Sequence, residues 1–233
     1  MLVYGKNVAI DLLKSDKDIK KVFLQDNYND KEVISLLEKR KLPIKYMKKH
    51  EIDNLCPGVN QGIILSIPDY QYGDLKSILN SDSDDIILVL DHLEDPHNLG
   101  AIVRTCEAAG IKSIIISSDR QVQVNATVMK TSVGTINNIN IVQVSSIASA
   151  IDRLKKSGYW IVGTSLEDSV DYRSVDYDGK IAIVIGNEGT GISKLVSKKC
   201  DFLVKIPMYG KTNSLNASVA TGIIIYEVIR NRK

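Results

Sequence analysis

The sequence predicts an α/β protein in two parts, a small α/β domain followed by a larger domain built on a parallel β-sheet. The chain has 233 residues, of which 44% are hydrophobic, so it can bury two separate cores. Helical and extended patterns alternate along the first 67 residues. From Ile86 onward, continuous runs of Val and Ile alternate with segments of helical spacing. Such runs are typical of parallel strands that are buried on both faces.

The first domain is predicted to span residues 1–67. Its hydrophobic spacing indicates two helices and three short strands. The helices are predicted at Lys6–Lys14 and Asp30–Arg40, and the strands at Lys21–Leu24, Ile44–Tyr46 and Gly62–Ile67. The following stretch, residues 68–84, contains Pro68, Gly73 and a polar run, and it is predicted to be a linker with one short helical piece.

The second domain is predicted to span residues 85–233. Six apolar strands are expected, at positions 86–91, 113–117, 139–144, 159–164, 181–186 and 202–207. The segments with helical spacing are Leu99–Ala109, Ser146–Ser157, Ser193–Lys199 and a long closing helix at Asn216–Arg230. This alternation predicts a doubly wound parallel sheet, whose ligand site lies beyond the carboxyl ends of the strands.

The overall charge gives little indication of a partner, because the net charge is only +2. On charge alone, an ordinary solvated surface is the simpler interpretation. One cluster indicates a surface that could face phosphates, because six basic residues fall within eleven positions. These are Lys39, Arg40, Lys41, Lys45, Lys48 and Lys49.

Three classes of protein are disfavoured by simple patterns. The cysteines, Cys56, Cys106 and Cys200, are far apart and form no CxxC pair, so neither a disulfide framework nor a metal site is predicted. The sequence contains no stretch of about 20 apolar residues, and its first residues do not resemble a signal peptide. We therefore expect a cytoplasmic protein that does not enter a membrane.

Three polar segments follow predicted strands and are the candidates for chemistry. The first, HLEDPHNLGAIVRT, lacks the GxGxxG pattern of dinucleotide-binding domains. The second, GNEGTGIS, is rich in glycine, but Glu188 within it is poorly suited to holding phosphates. The third carries Ser214 and Asn216, where helix N-caps are expected. Because all three lie at strand ends, we expect them to converge on one polar site.

In this order, the three segments resemble the signature motifs of the SpoU (TrmH) family of RNA ribose 2′-O-methyltransferases, within the SPOUT superfamily. The resemblance runs from Ile86 to Arg230. The first 67 residues resemble the small RNA-binding domain of the branch that acts on large-subunit ribosomal RNA. The resemblance implies S-adenosyl-L-methionine as cofactor, a trefoil knot in the C-terminal part, a homodimer, and a guanosine of 23S ribosomal RNA as the target.

By that resemblance, five residues form the catalytic site: Asn98, Arg104, Glu188, Ser214 and Asn216. The cofactor is expected against the backbone around Gly163, Thr164, Gly186, Ile206 and Leu215. No metal is implied. Because arginine stays protonated in proteins, Arg104 is better suited to clamping a phosphate and stabilising a developing alkoxide than to acting as a base.

Two other functions stay open at this point. The same chemistry could act on transfer RNA, and the chain could be an inactive RNA-binding assembly factor. The presence of all five motif residues argues against the inactive protein. Some positions depart from the family pattern, namely Asn137, Asn138 and the run Lys211–Asn213, and they bear on substrate choice.

Overall fold

Two β-sheets organise the chain, one in each of two structural units. The structure is a computed structural model that describes residues 1–80 and 85–232. Unit 1 consists of Met1–Gln71 together with Val124–Ile136, and unit 2 consists of Tyr72–Gln123 and Asn137–Lys233. Residues 81–84 of the predicted linker, and Lys233, lie outside the described residues.

Unit 1 contains a four-stranded sheet with the order β1-β4-β2-β3. Strand β4 pairs antiparallel with β1 and β2, whereas β2 and β3 are parallel. The strands are β1 (Leu2–Tyr4), β2 (Lys21–Gln25), β3 (Ile44–Met47) and β4 (Ile63–Ser66). The three strands expected from the sequence are confirmed. Strand β1 was not predicted, because three residues are too few to show an alternating pattern.

Four helices complete unit 1: α1 (Lys6–Lys14), α2 (Lys31–Arg40), α3 (Lys49–Leu55) and α6 (Ala126–Thr131). The first two confirm the predicted helices, and they pack against each other. Asp30 caps α2 by accepting a hydrogen bond from the amide of Val33 at 3.1 Å. Ile52 and Cys56 pack with Ile64 in a separate small apolar cluster.

Helix α6 belongs to unit 1 although its residues follow a strand of unit 2 along the chain. It packs against β1 and α1. Lys130 lies over the ring of Tyr4, with 5.1 Å from its Nζ to the ring centroid, and donates to the carbonyl of Val59 at 3.1 Å. Gly134 adjoins the carboxylate of Asp11, where a β-carbon would lie 2.7 Å from Oδ2. Because Gly134 also has φ of +78°, a conformation that other residues rarely adopt, glycine is favoured at this position.

Unit 2 contains a seven-stranded sheet with the order β7-β6-β5-β10-β8-β11-β9, in which all neighbouring pairs are parallel. The strands are β5 (Ile86–Asp91), β6 (Ser113–Ser117), β7 (Asn140–Val144), β8 (Tyr159–Thr164), β9 (Val170–Asp171), β10 (Lys180–Gly186) and β11 (Phe202–Lys205). The six predicted strands are confirmed to within two residues at each end. The chain runs outward from β5 to β6 and β7, then crosses to the other side. The gap between β5 and β10 is therefore the switch point where α/β sheets bind ligands.

The helices of unit 2 cover both faces of this sheet. They are α4 (Leu75–Leu79), α5 (Pro96–Ala108), α7 (Ile147–Lys156), α8 (Lys194–Ser197) and α9 (Ala217–Asn231). Buried side chains of α4, α7 and α8 form one apolar core with the central strands. Helices α5 and α9 pack against each other, and Gly222 of α9 faces Thr105 of α5. Within the described residues, no helix is both long and apolar enough to cross a membrane.

The parallel-sheet α/β fold expected from the sequence is confirmed, whereas the trefoil knot stays a prediction. Residues 72–80 of the predicted linker belong to unit 2. Gly73 donates its amide to the carbonyl of Ile141 at 2.9 Å and forms a bridge beside β7. A β-carbon at Gly73 would lie 1.9 Å from Oδ1 of Asn140. This contact explains why glycine occupies the position.

Candidate active site

A chain of hydrogen bonds joins one residue from each of the three polar segments. The side-chain amide of Asn98 donates to Oε1 of Glu188 at 2.5 Å. The amide of Asn216 donates to Oδ1 of Asn98 at 2.9 Å. Asn98 is therefore the central member, and both the nitrogen and the oxygen of its side-chain amide are engaged in hydrogen bonds. The expected convergence of the three segments is confirmed by these contacts.

The starts of two helices hold Asn98 and Asn216 in place. Asn98 is the third residue of α5, which begins at Pro96 and is capped by Asp95 through a 2.9 Å bond to the amide of His97. Asn216 is the N-cap of α9, where its Oδ1 accepts from the amide of Ser218 at 3.0 Å. One amide group therefore caps a helix with its oxygen and reaches Asn98 with its nitrogen.

Two of the five predicted site residues lie outside this chain of hydrogen bonds. Arg104 is exposed on α5, six positions after Asn98, so the two side chains leave the helix in directions about 120° apart. Ser214 is exposed just before the cap of α9. Among the described residues, neither side chain has a hydrogen bond or an ion pair to another protein group. Both are available to a substrate.

A cleft of about 440 Å³ opens at the carboxyl end of β11, beside the turn that follows β8. Its lining mixes apolar side chains with a few polar ones: Leu166, Lys205, Ile206, Pro207, Met208, Gly210, Thr212 and Asn213. Of the five predicted cofactor residues, Ile206 belongs to this lining. The volume lies within the range of about 300–1,000 Å³ that is usual for small-molecule sites.

Comparison with known proteins identifies the family to which this site belongs. Residues 85–226 match the model of the SpoU rRNA methylase family, and residues 2–73 match a domain described as RNA 2′-O ribose methyltransferase substrate binding. The Bacillus subtilis protein YacO, assigned to the TrmH family of tRNA/rRNA methyltransferases, is 40% identical over 99% of this chain and 95% of its own length.

The chain belongs to the SpoU methylase family. The predicted family is thereby confirmed, and the chain is an S-adenosylmethionine-dependent RNA methyltransferase. The SpoU methyltransferase AviRb of Streptomyces viridochromogenes, solved with S-adenosylmethionine, has a TM-score of 0.83 at 25% identity and covers 100% of this chain and 90% of its own. A Sinorhizobium meliloti rRNA methyltransferase, also solved with that cofactor, has a TM-score of 0.82 at 26% identity, covering 100% and 87%.

The residues of the cleft fit the cofactor of this SpoU methylase. S-adenosylmethionine combines a flat adenine with a charged amino-acid tail, so it requires an apolar slot with polar groups beside it. Ile206, Pro207 and Met208 supply the apolar wall, while Thr212 and Asn213 supply hydrogen-bonding groups. Leu215, another predicted cofactor residue, is half-buried immediately before Asn216. The same loop therefore carries the apolar wall and leads into the cap of α9.

The remaining predicted cofactor residues lie at the ends of neighbouring strands. Gly163 and Thr164 end β8, and Gly186 ends β10. A β-carbon at Gly186 would lie 2.1 Å from the carbonyl carbon of Gly191, and one at Gly163 would lie 2.6 Å from Sγ of Cys200. Gly186 is thus required by close packing against backbone, whereas the atoms that crowd Gly163 belong to side chains. The hydroxyl of Thr164 donates to the carbonyl of Val184 at 3.2 Å.

Several residues that shape this site were not predicted from the sequence. Lys205, Pro207 and Met208 line the cleft. The signal that would have indicated them is their position at the carboxyl end of β11, a strand of the parallel sheet. Arg40 shows the opposite error, because it was counted with the basic cluster. Its guanidinium donates to the carbonyls of Leu13, Ser15 and Lys17, and it therefore holds the end of α1 rather than facing a phosphate.

The cysteines are not activated for chemistry. Burial raises the pKa of the Cys106 thiol well above its usual value and raises the pKa of Cys200 to about 12. A thiol is a poor nucleophile until it ionises, so both stay inert near neutral pH. In the described part of the chain, no three His, Cys, Asp or Glu side chains are grouped so that they could hold a metal ion.

Proposed function

We propose that this chain methylates the ribose 2′-hydroxyl of a guanosine in large-subunit (23S) ribosomal RNA, in the cytoplasm. The observation that carries this proposal is the hydrogen-bonded series Glu188, Asn98 and Asn216, which gathers polar groups from three distant segments at the switch point of the sheet. An RNA ribose 2′-hydroxyl as the target is favoured by the match of residues 2–73 to a domain described as RNA 2′-O ribose methyltransferase substrate binding.

In this proposal, the side chains position the ribose and stabilise charge. S-adenosylmethionine supplies, when bound, a methyl group made electrophilic by its sulfonium. Asn98 and Asn216 hold the rim of the site rigid, and the exposed hydroxyl of Ser214 offers a hydrogen bond to the target nucleotide. Arg104 clamps the phosphate beside the target ribose and stabilises the negative charge that develops on the 2′-oxygen as its proton passes to solvent water. Its exposed guanidinium, without a partner among the described residues, suits this task.

We propose that unit 1 holds the RNA through an exposed lysine surface, defined as Lys39, Lys41, Lys45, Lys48 and Lys49. In the described residues these lysines have no carboxylate partner in an ion pair, so their charges are available to phosphates. Strand β3, which carries Lys45, is an edge strand of its sheet. Each Lys→Gln change should lower the slope of log affinity against log salt by about 0.7–0.9. Lys112→Gln, in unit 2 just before β6, should leave the slope unchanged.

We also propose a homodimer formed through α5 and α9. Helix α9 exposes Val219 and Tyr226, with 50% and 53% of their surfaces accessible, on a face continued by the half-buried Ile223. Arg104 is exposed on the neighbouring helix α5. Light scattering should give twice the mass of one chain for the natural protein and the mass of a single chain for Tyr226→Asp. A monomeric natural protein at micromolar concentration would refute the dimer.

One experiment tests the substrate. Sites of 2′-O-methylation are mapped across total RNA from cells with and without the gene, and the purified protein is then given the candidate RNA with S-adenosylmethionine. We expect one guanosine of 23S ribosomal RNA to lose its methyl group in the deletion and to regain it in vitro. Loss of a transfer-RNA methyl group instead would move the assignment to transfer RNA. No change in any 2′-O-methyl site would refute the proposal.

A further inference from the structure

The turn after β10 is shaped by the side chain of Asn187. Oδ1 of Asn187 accepts hydrogen bonds from the backbone amides of Gly189 at 2.8 Å and Thr190 at 3.4 Å. Its backbone exchanges two further bonds with Gly191, at 3.1 and 2.9 Å. Gly191 has φ of +67°, a conformation that glycine adopts without strain. The turn is therefore closed by both the backbone and one side chain.

The same side chain also reaches out of its own turn. Nδ2 of Asn187 donates to the backbone carbonyl of His92 at 3.0 Å, across 95 positions of sequence. His92 follows β5 directly and stands four residues before α5. Asn187 thus bonds the second polar segment to the first. An asparagine that served only to form its turn would need the bonds made by its oxygen but not this one.

A buried carboxylate fixes the far end of the turn. Asp91, with 1% of its surface exposed, accepts from the amide of Ser193 at 2.7 Å through Oδ2. Its Oδ1 lies 2.8 Å from Nδ1 of His92. Asp91 also stands in register with Gly186, the residue that opens the turn. Both ends of residues 186–193 are therefore attached to the end of β5.

Glu188 lies at the tip of the turn that these contacts hold. Its side chain is exposed, and its carboxylate reaches the amide of Asn98 at 2.5 Å. A carboxylate on a free loop would sample many positions, and ordering it would cost conformational entropy. The turn is closed and is hydrogen-bonded to the segment that leads into α5. The carboxylate therefore lies close to Asn98 with little further loss of conformational entropy.

We propose that Asn187 is a positioning residue for the methyl transfer, acting through Glu188, with Asp91 fixing the other end of the turn. This inference rests on the proposed function, since it assigns to Asn187 a task in that reaction. Asn187 touches neither cofactor nor substrate in this role. It joins the turn to the backbone at His92, and so sets the distance between the Glu188 carboxylate and Asn98.

The test is a double-mutant cycle in the full-length protein. Four proteins are compared: the natural protein, Asn187→Ala, Glu188→Ala and the double variant. The turnover rate is measured at saturating S-adenosylmethionine and RNA. Loss of the hydrogen bonds of Asn187 should lower this rate about tenfold to a hundredfold. In the Glu188→Ala background, the same change should cost less than about threefold, because the contact through which Asn187 acts is already lost.

Two further variants separate positioning from a general loss of stability. Asn125→Ala removes a side chain that likewise accepts from two backbone amides, those of Thr127 and Val128 at 3.0 Å each, at the cap of α6. It should lower Tm comparably and leave the turnover rate unchanged. Asn187→Asp keeps the acceptor for Gly189 but removes the donor to His92. The Asn187→Asp variant should have a lower turnover rate than the natural protein, and it can be measured even if Asn187→Ala does not fold.

The outcomes are distinct. If the fold losses of the two single variants multiply to give the fold loss of the double variant, the two residues act independently and the inference is overturned. An Asn187→Asp variant with natural turnover would also overturn it. A rate loss that merely follows Tm, and that Asn125→Ala reproduces, would also overturn it. If the natural protein itself methylates no ribose 2′-hydroxyl, the proposed function fails first. If the natural protein is active but the losses of the two single variants simply multiply, only the role of Asn187 is refuted.

Discussion

Replacing Asn98 with aspartate tests the central contact of the site with a change of one atom. Asn98 is 6% exposed and donates to Glu188 while accepting from Asn216. In Asn98→Asp, the acceptor for Asn216 is kept. The donor to Glu188 becomes a carboxylate oxygen, so two carboxylates face each other across a contact that measured 2.5 Å.

The magnitude follows from Coulomb's law. Two unit charges about 4 Å apart repel by about 1 kcal/mol in water and about 4 kcal/mol at an effective dielectric constant of about 20. Because each 1.4 kcal/mol is a factor of about ten, the turnover rate should fall between about fivefold and a thousandfold. The loss should shrink as the pH falls. Repulsion raises the pKa of one carboxyl, and its protonation restores a hydrogen-bond donor.

The assay is methyl transfer at saturating substrates, with Tm measured for each variant. Adding Glu188→Gln to Asn98→Asp should recover part of the rate, because the amide of residue 188 can then donate to the new carboxylate. Asn27→Asp, an exposed position in unit 1, controls for the added charge and should keep natural turnover. An Asn98→Asp variant with natural turnover, or a double variant no faster than Asn98→Asp, would refute the reasoning.

Three further outcomes are expected. Arg104→Ala should lower turnover by orders of magnitude while calorimetry finds S-adenosylmethionine affinity nearly unchanged, and Arg104→Lys should recover little, because lysine lacks the planar pair of donors. Gly186→Ala should lower Tm strongly, since its β-carbon would overlap backbone, whereas Gly189→Ala, whose nearest neighbour would lie 3.4 Å away, should not. Iodoacetamide at pH 8 should label Cys200 only after denaturation, because burial raises its pKa to about 12; rapid labelling of the native protein would contradict this.

The strands of unit 2 could be predicted from sequence because each is encoded locally. A run such as Ile181–Ile185 is apolar at every position, and only a strand covered on both faces buries all of it. The pairing of strands is not encoded locally. Nothing in residues 180–186 indicates that β10 pairs with β5 on one side and β8 on the other. That order is decided by the packing of the whole sheet.

The site was predictable in part for a similar reason. Asn98, Glu188 and Asn216 are polar, and each lies in a segment that follows a strand. This pattern indicated that the three residues would come together. The direction of the hydrogen bond between Asn98 and Asn216 could not be inferred, since each amide can donate or accept. Asn187 was overlooked because an asparagine beside glycines is typical of any tight turn. The assignment of residues 124–136 to unit 1 depends on tertiary contacts, such as that of Lys130 with Tyr4, which leave no local pattern.

The geometry of the site depends on how two helices pack. Asn98 and Asn216 each sit within the first turn of a helix, so the 2.9 Å bond between them fixes the start of α5 against the start of α9. Just under two turns further along the helices, Gly222 of α9 faces the methyl group of Thr105, where a β-carbon would lie at 3.7 Å. A larger residue at position 222 would separate the helices, and the separation would reach the Asn98–Asn216 contact directly. Substitutions at this helix contact should therefore alter turnover although they touch neither RNA nor cofactor.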